Sequence, residues 1–311
     1  MNYYAGVDIG GTKTAVGLFD EKAEHLRLVT MPTCAQEGCL NLTRRIGEAW
    51  REILKQSGLS ADQIMAAGVA SPGPLDLKNG RIVYIPTMGF RDEPLVELLE
   101  QGLNLPVYLQ NDTNAAALCE ARVGGGKGCQ SVVYITVSTG VGCGIVVDGH
   151  IQDGACDAAG ELGHLCTERN GRPCACGKNG CLEQYASGTS IAAIASERLG
   201  KTVSAKQVFE AVRKGAPAET KVVEQAADHL GYAIAAVYQL LDPEVIVLGG
   251  SVTRDSDVLL PMVKAALDRY LQAVPGRVPR LTISPFDGEQ VIRGAVWFAR
   301  ESQCDDKSNS L

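Results

Sequence analysis

No apolar run in this sequence approaches the ~20 residues that a membrane-crossing helix needs. The opening Met1-Asn2-Tyr3-Tyr4-Ala5-Gly6-Val7-Asp8 has no basic segment ahead of an apolar stretch, so a secretory leader is not expected and a cytoplasmic protein is. Basic tracts are also missing. The 29 Lys and Arg stand against 36 Asp and Glu, a formal net charge of -7, which argues against nucleic acid or an anionic membrane as partner. No long Pro/Ser linker divides the chain, so any two domains are expected to pack around a shared cleft.

What is present suits a globular enzyme. The 311 residues, 45% of them hydrophobic, can bury one large core or two ordinary ones. Eleven cysteines form an odd set in a chain with no export signal, which favours reduced thiols. Three of them, Cys174, Cys176 and Cys181, are crowded together.

Residues 3–9 and 14–19 are apolar and rich in strand formers, and the glycine turn Gly10-Gly11-Thr12-Lys13 separates them, which predicts a hairpin. A third strand near 26–30 extends it. Leu42, Ile46, Trp50, Ile53 and Leu54 recur at helical spacing over 41–56. Short buried strands are expected at 66–70 and 107–110, the second running through Asn111-Asp112 into a helix at 114–122. The pattern then restarts: residues 131–137 and 144–148 flank a second turn, Ser138-Thr139-Gly140-Val141-Gly142. A shift of about 127 positions lays Thr12 on Thr139 and Gly17 on Gly144, which suggests two related α/β halves. A polar stretch over 149–185 precedes helices at 189–198, 205–214, 219–241 and 256–272. A buried strand at 244–248 ends in Gly249-Gly250, and a last helix at 289–300 leads to a polar tail expected to fray.

Several of these segments can carry chemistry. In Asp8-Ile9-Gly10-Gly11-Thr12-Lys13 a strand ends in two glycines whose bare N–H groups can approach a phosphate. Asp8 can hold Mg²⁺ through water. The spacing is not that of a P-loop, and the plainer reading is a tight hairpin turn. Thr139-Gly140 repeats the device, and Gly249-Gly250 closes a strand where ligands of open α/β sheets sit. Asp112 is either a helix cap or a general base that takes the proton of an attacking hydroxyl, with Asn111 bonding a neighbouring hydroxyl. His164 with Cys174, Cys176 and Cys181 makes a closed four-ligand set for a structural Zn²⁺. Cys166 is a possible substitute ligand, and a disulfide or a cluster of free thiols is the alternative. Glu161 and Glu183 flank that loop and can accept hydrogen bonds from sugar hydroxyls. A paired-carboxylate glycosidase would also want two such groups, but it has no use for phosphate-type turns.

Taken in order, DIGGTKT, NDTNAA, STGVGCG, GELGH, CACGKNGCLE and VLGGSV resemble the ROK family of sugar kinases and sugar-responsive repressors over nearly the whole chain. The resemblance implies an α/β actin/hexokinase-like (ribonuclease H-like) duplicated fold, two lobes around a cleft. One lobe would span about 1–113 with the C-terminal helix 289–302, the other 114–288 with the zinc loop. It implies Asp112 as base, sugar contacts from Gly73, Asn111, Glu161, His164 and Glu183, zinc on His164, Cys174, Cys176 and Cys181, and ATP with Mg²⁺ on the glycine turns. A homo-oligomer, dimer or tetramer, is also implied. Kinases of this group often carry Pro-Asn after the SPGP loop, where this chain has Pro86-Thr87, so the sugar stays open among glucose, N-acetylmannosamine, fructose and allose, with a lean to glucose. Polyphosphate remains an alternative donor to ATP. The competing class is a sugar-sensing repressor of the same fold. A strand expected from Tyr3 leaves no space ahead of it for a helix-turn-helix, and Asp112 is a residue that a pure sensor does not need. An actin- or chaperone-type ATPase is disfavoured by the sugar-directed carboxylates and the metal loop.

Overall fold

The computed structural model describes residues 2–309, with side chains through residue 304. In chain order the strands are β1 (Tyr3–Ile9), β2 (Lys13–Phe19), β3 (His25–Pro32), β4 (Ile64–Ser71), β5 (Leu75–Asp76), β6 (Arg81–Ile85), β7 (Phe90–Glu93), β8 (Val107–Asn111), β9 (Val132–Val137), β10 (Val141–Val147), β11 (His150–Ile151), β12 (Val245–Gly249) and β13 (Leu281–Ile283). The helices are α1 (Cys39–Ser57), α2 (Leu95–Leu103), α3 (Asp112–Val123), α4 (Glu183–Ala186), α5 (Gly188–Leu199), α6 (Ala205–Arg213), α7 (Pro217–Leu241), α8 (Ser256–Tyr270) and α9 (Gln290–Asn309).

The chain separates into two compact units. One comprises the chain up to Arg122, the segment Gly149–Ala159 and the chain from Gly288 onward; the other comprises Val123–Asp148 and Gly160–Asp287. In the first, the sheet order is β3-β2-β1-β4-β8. β1 is antiparallel to β2 and parallel to β4, and β4 is parallel to β8. The buried side of α1 (Leu42, Ile46, Trp50, Ile53) packs with Val7, Ile9, Val69 and Leu99 in one core, as its helical spacing requires. α9 joins a second core with Tyr4, Phe19, Ile292 and Val296. It lies against backbone: a Cβ at Gly68 would overlap the Ala295 carbonyl, and one at Gly294 the Ala115 carbonyl.

The second unit repeats the scheme. Within it the order is β10-β9-β12-β13, with β9 antiparallel to β10 and parallel to β12, and β12 parallel to β13. Both sheets therefore open with a strand–turn–strand hairpin whose first strand is flanked by a parallel neighbour. Ile135, Val137, Leu182, Tyr185, Ile191, Phe209, Ile234 and Leu248 share its core.

Three departures from the sequence expectations stand out. The final helix does not stop near residue 300 but continues to Asn309, so the polar tail up to that point is helical and not frayed; 310 and 311 lie outside the described residues. The small sheet β5-β6-β7 and helix α2 were not anticipated. In β6 the buried residues are Ile82 and Ile85, with Val83 and Tyr84 exposed between them, which hides the alternation a strand normally shows. Among the described residues no helix is long and apolar enough to cross a membrane.

Candidate active site

In the first unit, three parallel strands end side by side. Asp8 pairs with Ala70, and Ser71 with Asn111, so Asp8, the loop after Ser71 and Asn111-Asp112 emerge at neighbouring carboxyl ends, where open α/β sheets bind ligands. A Cβ on Gly73 would lie 3.7 Å from Asn111 Nδ2. The sequence left Asp112 as cap or base, and the structure gives the cap to its neighbour. Asn111 Oδ1 accepts from the N–H groups of Thr113 at 2.9 Å and Asn114 at 3.2 Å, which satisfies the first turn of α3. Asp112 Oδ1 accepts from Thr113 N–H at 2.7 Å and from Thr113 Oγ1 at 3.1 Å, leaving Oδ2 outside this turn's hydrogen bonds.

Neither aspartate is fully closed to solvent, yet both titrate abnormally. Burial raises the Asp112 carboxyl above its ordinary value, with the Thr113 hydrogen bonds opposing. Asp8 is pushed up to about 7, first by burial and then by the charge of Asp112. In a poorly solvated corner a second carboxylate nearby adds to the cost of ionising Asp8. A cation or a substrate hydroxyl placed there would change that balance strongly.

The turn after Asp8 is braced from β3. Thr33 N–H donates to Thr12 O at 2.9 Å, and Thr33 Oγ1 donates to Gly10 O at 2.6 Å. Gly11, Thr12 and Lys13 are exposed, and a Cβ on Gly11 would meet nothing within 4 Å. Gly11 thus leaves open space beside its peptide.

In the second unit the corresponding turn is built from Ser138-Thr139-Gly140. Gly188 N–H donates to Ser138 O at 2.7 Å, Thr189 Oγ1 to Thr139 O at 2.8 Å, and the Ser138 and Ser251 hydroxyls meet at 3.0 Å. Gly250 has φ +93°, and a Cβ there would collide with the Val137 carbonyl, so β12 can leave the sheet this close to β9 only through glycine. Beside these turns lies a cavity of about 530 Å³, lined by Thr139, Thr189, Lys206, Phe209, Ser251 and Arg254 among others. That is a size common for small-molecule sites. Of the residues expected at the nucleotide, Thr139 lines it; Gly249 and Gly250 do not, although Ser251, which follows them, does, and a Cβ on Gly140 would meet Glu183. Lys206, Phe209 and Arg254 were not foreseen. Lys206 and Phe209 sit on an ordinary amphipathic helix, and no local pattern marks them.

The Cys-rich stretch forms a loop next to β10. Gly160 and Gly163 pass so close to the Cys143 and Val141 carbonyls that a Cβ at either would collide; the pair lets the GELGH backbone lie on the strand. Among the described residues one group of potential metal ligands converges: His164, Cys174, Cys176 and Cys181, their ligand atoms all within 4.8 Å of one another. Cys174 Sγ is 3.7 Å from His164 Nδ1, and Cys176 Sγ is 3.6 Å from Cys181 Sγ. These are close to the edges of a tetrahedron around an ion with ~2.3 Å metal–sulfur bonds, so the residues present fit the ion. Cys166 is not in the group; its thiol faces the Glu168 carbonyl at 3.6 Å. The loop positions both flanking glutamates. Glu161 Oε2 lies 3.8 Å from His164 Nε2. Glu183 follows Cys181 of this cluster and the buried Leu182, and its Oε2 accepts from Val141 N–H at 3.1 Å.

The two sheets of one topology, with glycine turns at matching strand ends, define a duplicated α/β protein equipped for phosphate chemistry. Comparison with known proteins narrows this: the ROK family pattern matches residues 4–302, and the chain belongs to that family. The glucokinase of Halalkalibacterium halodurans is 34% identical over 97% of this chain and 96% of its own length. The solved ROK hexokinase of Thermus thermophilus superposes with a TM-score of 0.85, at 34% identity over 97% of this chain and 99% of that one. A ROK family glucokinase from Streptomyces griseus, solved in complex with glucose and AMPPNP, gives a TM-score of 0.80 at 30% identity over 96% and 100% of the two chains. The actin/hexokinase-like fold expected from the motifs is therefore the fold of this chain.

Proposed function

We propose that this chain is an ATP-dependent sugar kinase that phosphorylates glucose, with Asp112 as general base. The observation that carries the reading is the placement of Asp8 and Asp112 at the carboxyl ends of β1 and β8, the two parallel strands that flank β4. Burial raises the Asp112 carboxyl above its ordinary value, against the Thr113 hydrogen bonds, which makes it a better proton acceptor than a solvated aspartate. In the step itself, the sugar hydroxyl gives its proton to Asp112 Oδ2. The sugar oxygen bonds to the γ-phosphorus, the bond to the β–γ bridging oxygen breaks, and ADP departs. A loose phosphoryl transfer asks the base mainly to orient the nucleophile, and Asn111 has an amide N–H₂ left over from capping to hold an adjacent hydroxyl.

Gly73, Asn111, Asp112, Glu161, His164 and Glu183 are assigned to the sugar. Asp8, Gly10, Gly11, Thr12 and Lys13, with Thr139, Gly140, Gly249 and Gly250, are assigned to the phosphates, and the cavity by Thr139 and Phe209 to the adenosine. Mg²⁺ arriving with ATP, held near Asp8, would neutralise phosphate charge. Zn²⁺ is assigned to His164, Cys174, Cys176 and Cys181 as a structural ion with no open position. His164 would then order Glu161 from its far side. A cytoplasmic enzyme acting as a dimer or tetramer completes the reading on the strength of the family resemblance.

The test is a coupled ADP-release assay over glucose, N-acetylmannosamine, fructose and allose, with ATP or polyphosphate as donor. The reading expects glucose with ATP to give the highest kcat/KM. Turnover without any sugar dependence would contradict a sugar kinase, and a better second sugar would correct the substrate alone.

A further inference from the structure

The segment Gly149–Ala159 carries none of the residues assigned above, yet side-chain hydrogen bonds tie it to the rest of the first unit. Arg122 Nη2 donates to Gly149 O at 2.7 Å, Asn114 Nδ2 donates to Asp153 Oδ1 at 2.9 Å, and Asp157 Oδ2 accepts from Leu77 N–H at 3.0 Å. A backbone bond from Ala159 N–H to Asp153 O, 2.9 Å, closes the loop on itself. The middle tie leads to the proposed base. Gln110 is 0% exposed and Asn114 5%. Gln110 Oε1 accepts the N–H of Asn111 at 2.6 Å and stands 3.5 Å from Asn114 Nδ2. Its Nε2 is buried without a full hydrogen bond on the side of Asp153, whose carboxyl burial raises above its ordinary value while the Gln110 and Asn114 amides oppose that shift.

Gln110 therefore grips the peptide that sets the direction of Asn111 and Asp112, and Asn114 holds the opposite end of the same turn. Both amides are buried, and a buried amide keeps its place only while its partners are satisfied. Asp153 is the partner that arrives from outside the strand–helix unit. Building on the reading of Asp112 as base, we infer that Asp153 is a positioning residue for it, fixing the strand-to-helix turn through Asn114 and Gln110. Without that carboxylate the turn keeps its cap but loses the lateral hold on its second peptide. A shift of about 1 Å at a reacting group can cost on the order of 10²-fold in rate, so a small relaxation suffices to be seen.

The experiment measures kcat, KM for glucose and for ATP, and thermal stability of full-length Asp153→Ala, Asp153→Asn and Asn114→Ala, with Asp112→Asn alongside. Asp153→Ala should lower kcat about tenfold with both KM values within about twofold. Asp153→Asn, which keeps an oxygen for Asn114, should recover most of that loss. Asn114→Ala, in a helix face already lined with alanines, should reproduce it, and combining it with Asp153→Ala should add little. It also serves if Asp153→Ala does not fold. A purely structural tie would lower the melting temperature and leave kcat of the folded enzyme intact; that result in Asn114→Ala, with Asp112→Asn inactive, overturns the positioning role alone. Wild-type turnover by Asp112→Asn would instead overturn the assignment of the base on which it rests.

Discussion

The two sheets share a strand order but not a chemistry. At the strand ends of the first unit stand two carboxylates, Asp8 and Asp112; burial raises both above the ordinary aspartate value, and the charge of Asp112 pushes Asp8 further. At the matching ends of the second stand hydroxyls and glycines, Ser138, Thr139, Gly250 and Ser251, beside a cavity of about 530 Å³; Glu183 near the turn accepts from Val141 N–H, and Asp255 on the cavity wall is paired with Arg213. On the proposed assignment, one scaffold is fitted out twice: once to handle a proton and a cation, once to receive a nucleoside and its phosphate tail. The topology fixes where a ligand sits, and the side chains at the strand ends decide what is done to it.

If that division is right, substitutions should sort by unit. The largest effect is expected from the metal loop. Cys181→Ser removes one of the four proposed zinc ligands and would leave the others without a closed shell, so glucose phosphorylation should be lost and the melting temperature should fall by more than about 5 °C. Metal analysis should find one zinc per chain in the wild type and less in the variant; a wild-type-like Cys181→Ser with no bound metal would remove zinc from the account. Next comes Gly250→Ala, which forces a Cβ onto the Val137 carbonyl at φ +93°. It should raise the KM for ATP about tenfold and leave the KM for glucose nearly unchanged. A larger change for the sugar would break the comparison.

Asp8→Asn sharpens the other side. Asp8 titrates near 7 when folded against an ordinary 3.8, so between those values the folded state binds more protons. Stability therefore falls as pH rises through that window, and above it the ionised pair is a standing cost. Asp8→Asn should make the ligand-free protein more stable at pH 8 by about 1–2 kcal/mol and flatten its pH dependence, as read from urea midpoints across pH. Turnover with Mg²⁺ should fall in the same variant. Unchanged stability at pH 8 would show that the carboxylates are better solvated than their placement indicates. The smallest effect is expected from Lys206→Ala, a loss of one exposed cation in the cavity wall, with an ATP KM raised about two- to fivefold and kcat unaltered.

Much of this was legible in the amino-acid sequence because it is local. The hairpins follow from runs of β-branched residues interrupted by glycine, the α1 face from Leu42, Ile46, Trp50 and Ile53, and the metal loop from three cysteines and a histidine at short range. Two ambiguities needed coordinates. Whether position 112 caps a helix depends on which oxygen meets the first N–H groups, and Asn111 takes that part. Whether Cys166 competes as a ligand depends on the direction of a thiol, which turns to Glu168. What stayed hidden is long-range: the wall of Lys206, Phe209 and Arg254 facing Thr139, and the Asn114–Asp153 bond, join residues far apart in the chain through groups that look ordinary in isolation. β13, only three residues long, is too short for any periodicity to register.

The central claim is that the Asp112 carboxylate accepts the hydroxyl proton without being needed to hold the sugar. It is tested most directly by measuring glucose affinity calorimetrically and glucose-dependent ADP release on the same sample of Asp112→Asn. The account predicts a dissociation constant within about threefold of wild type and turnover reduced by roughly 10³-fold or more. Turnover at the wild-type rate in that sample would contradict it.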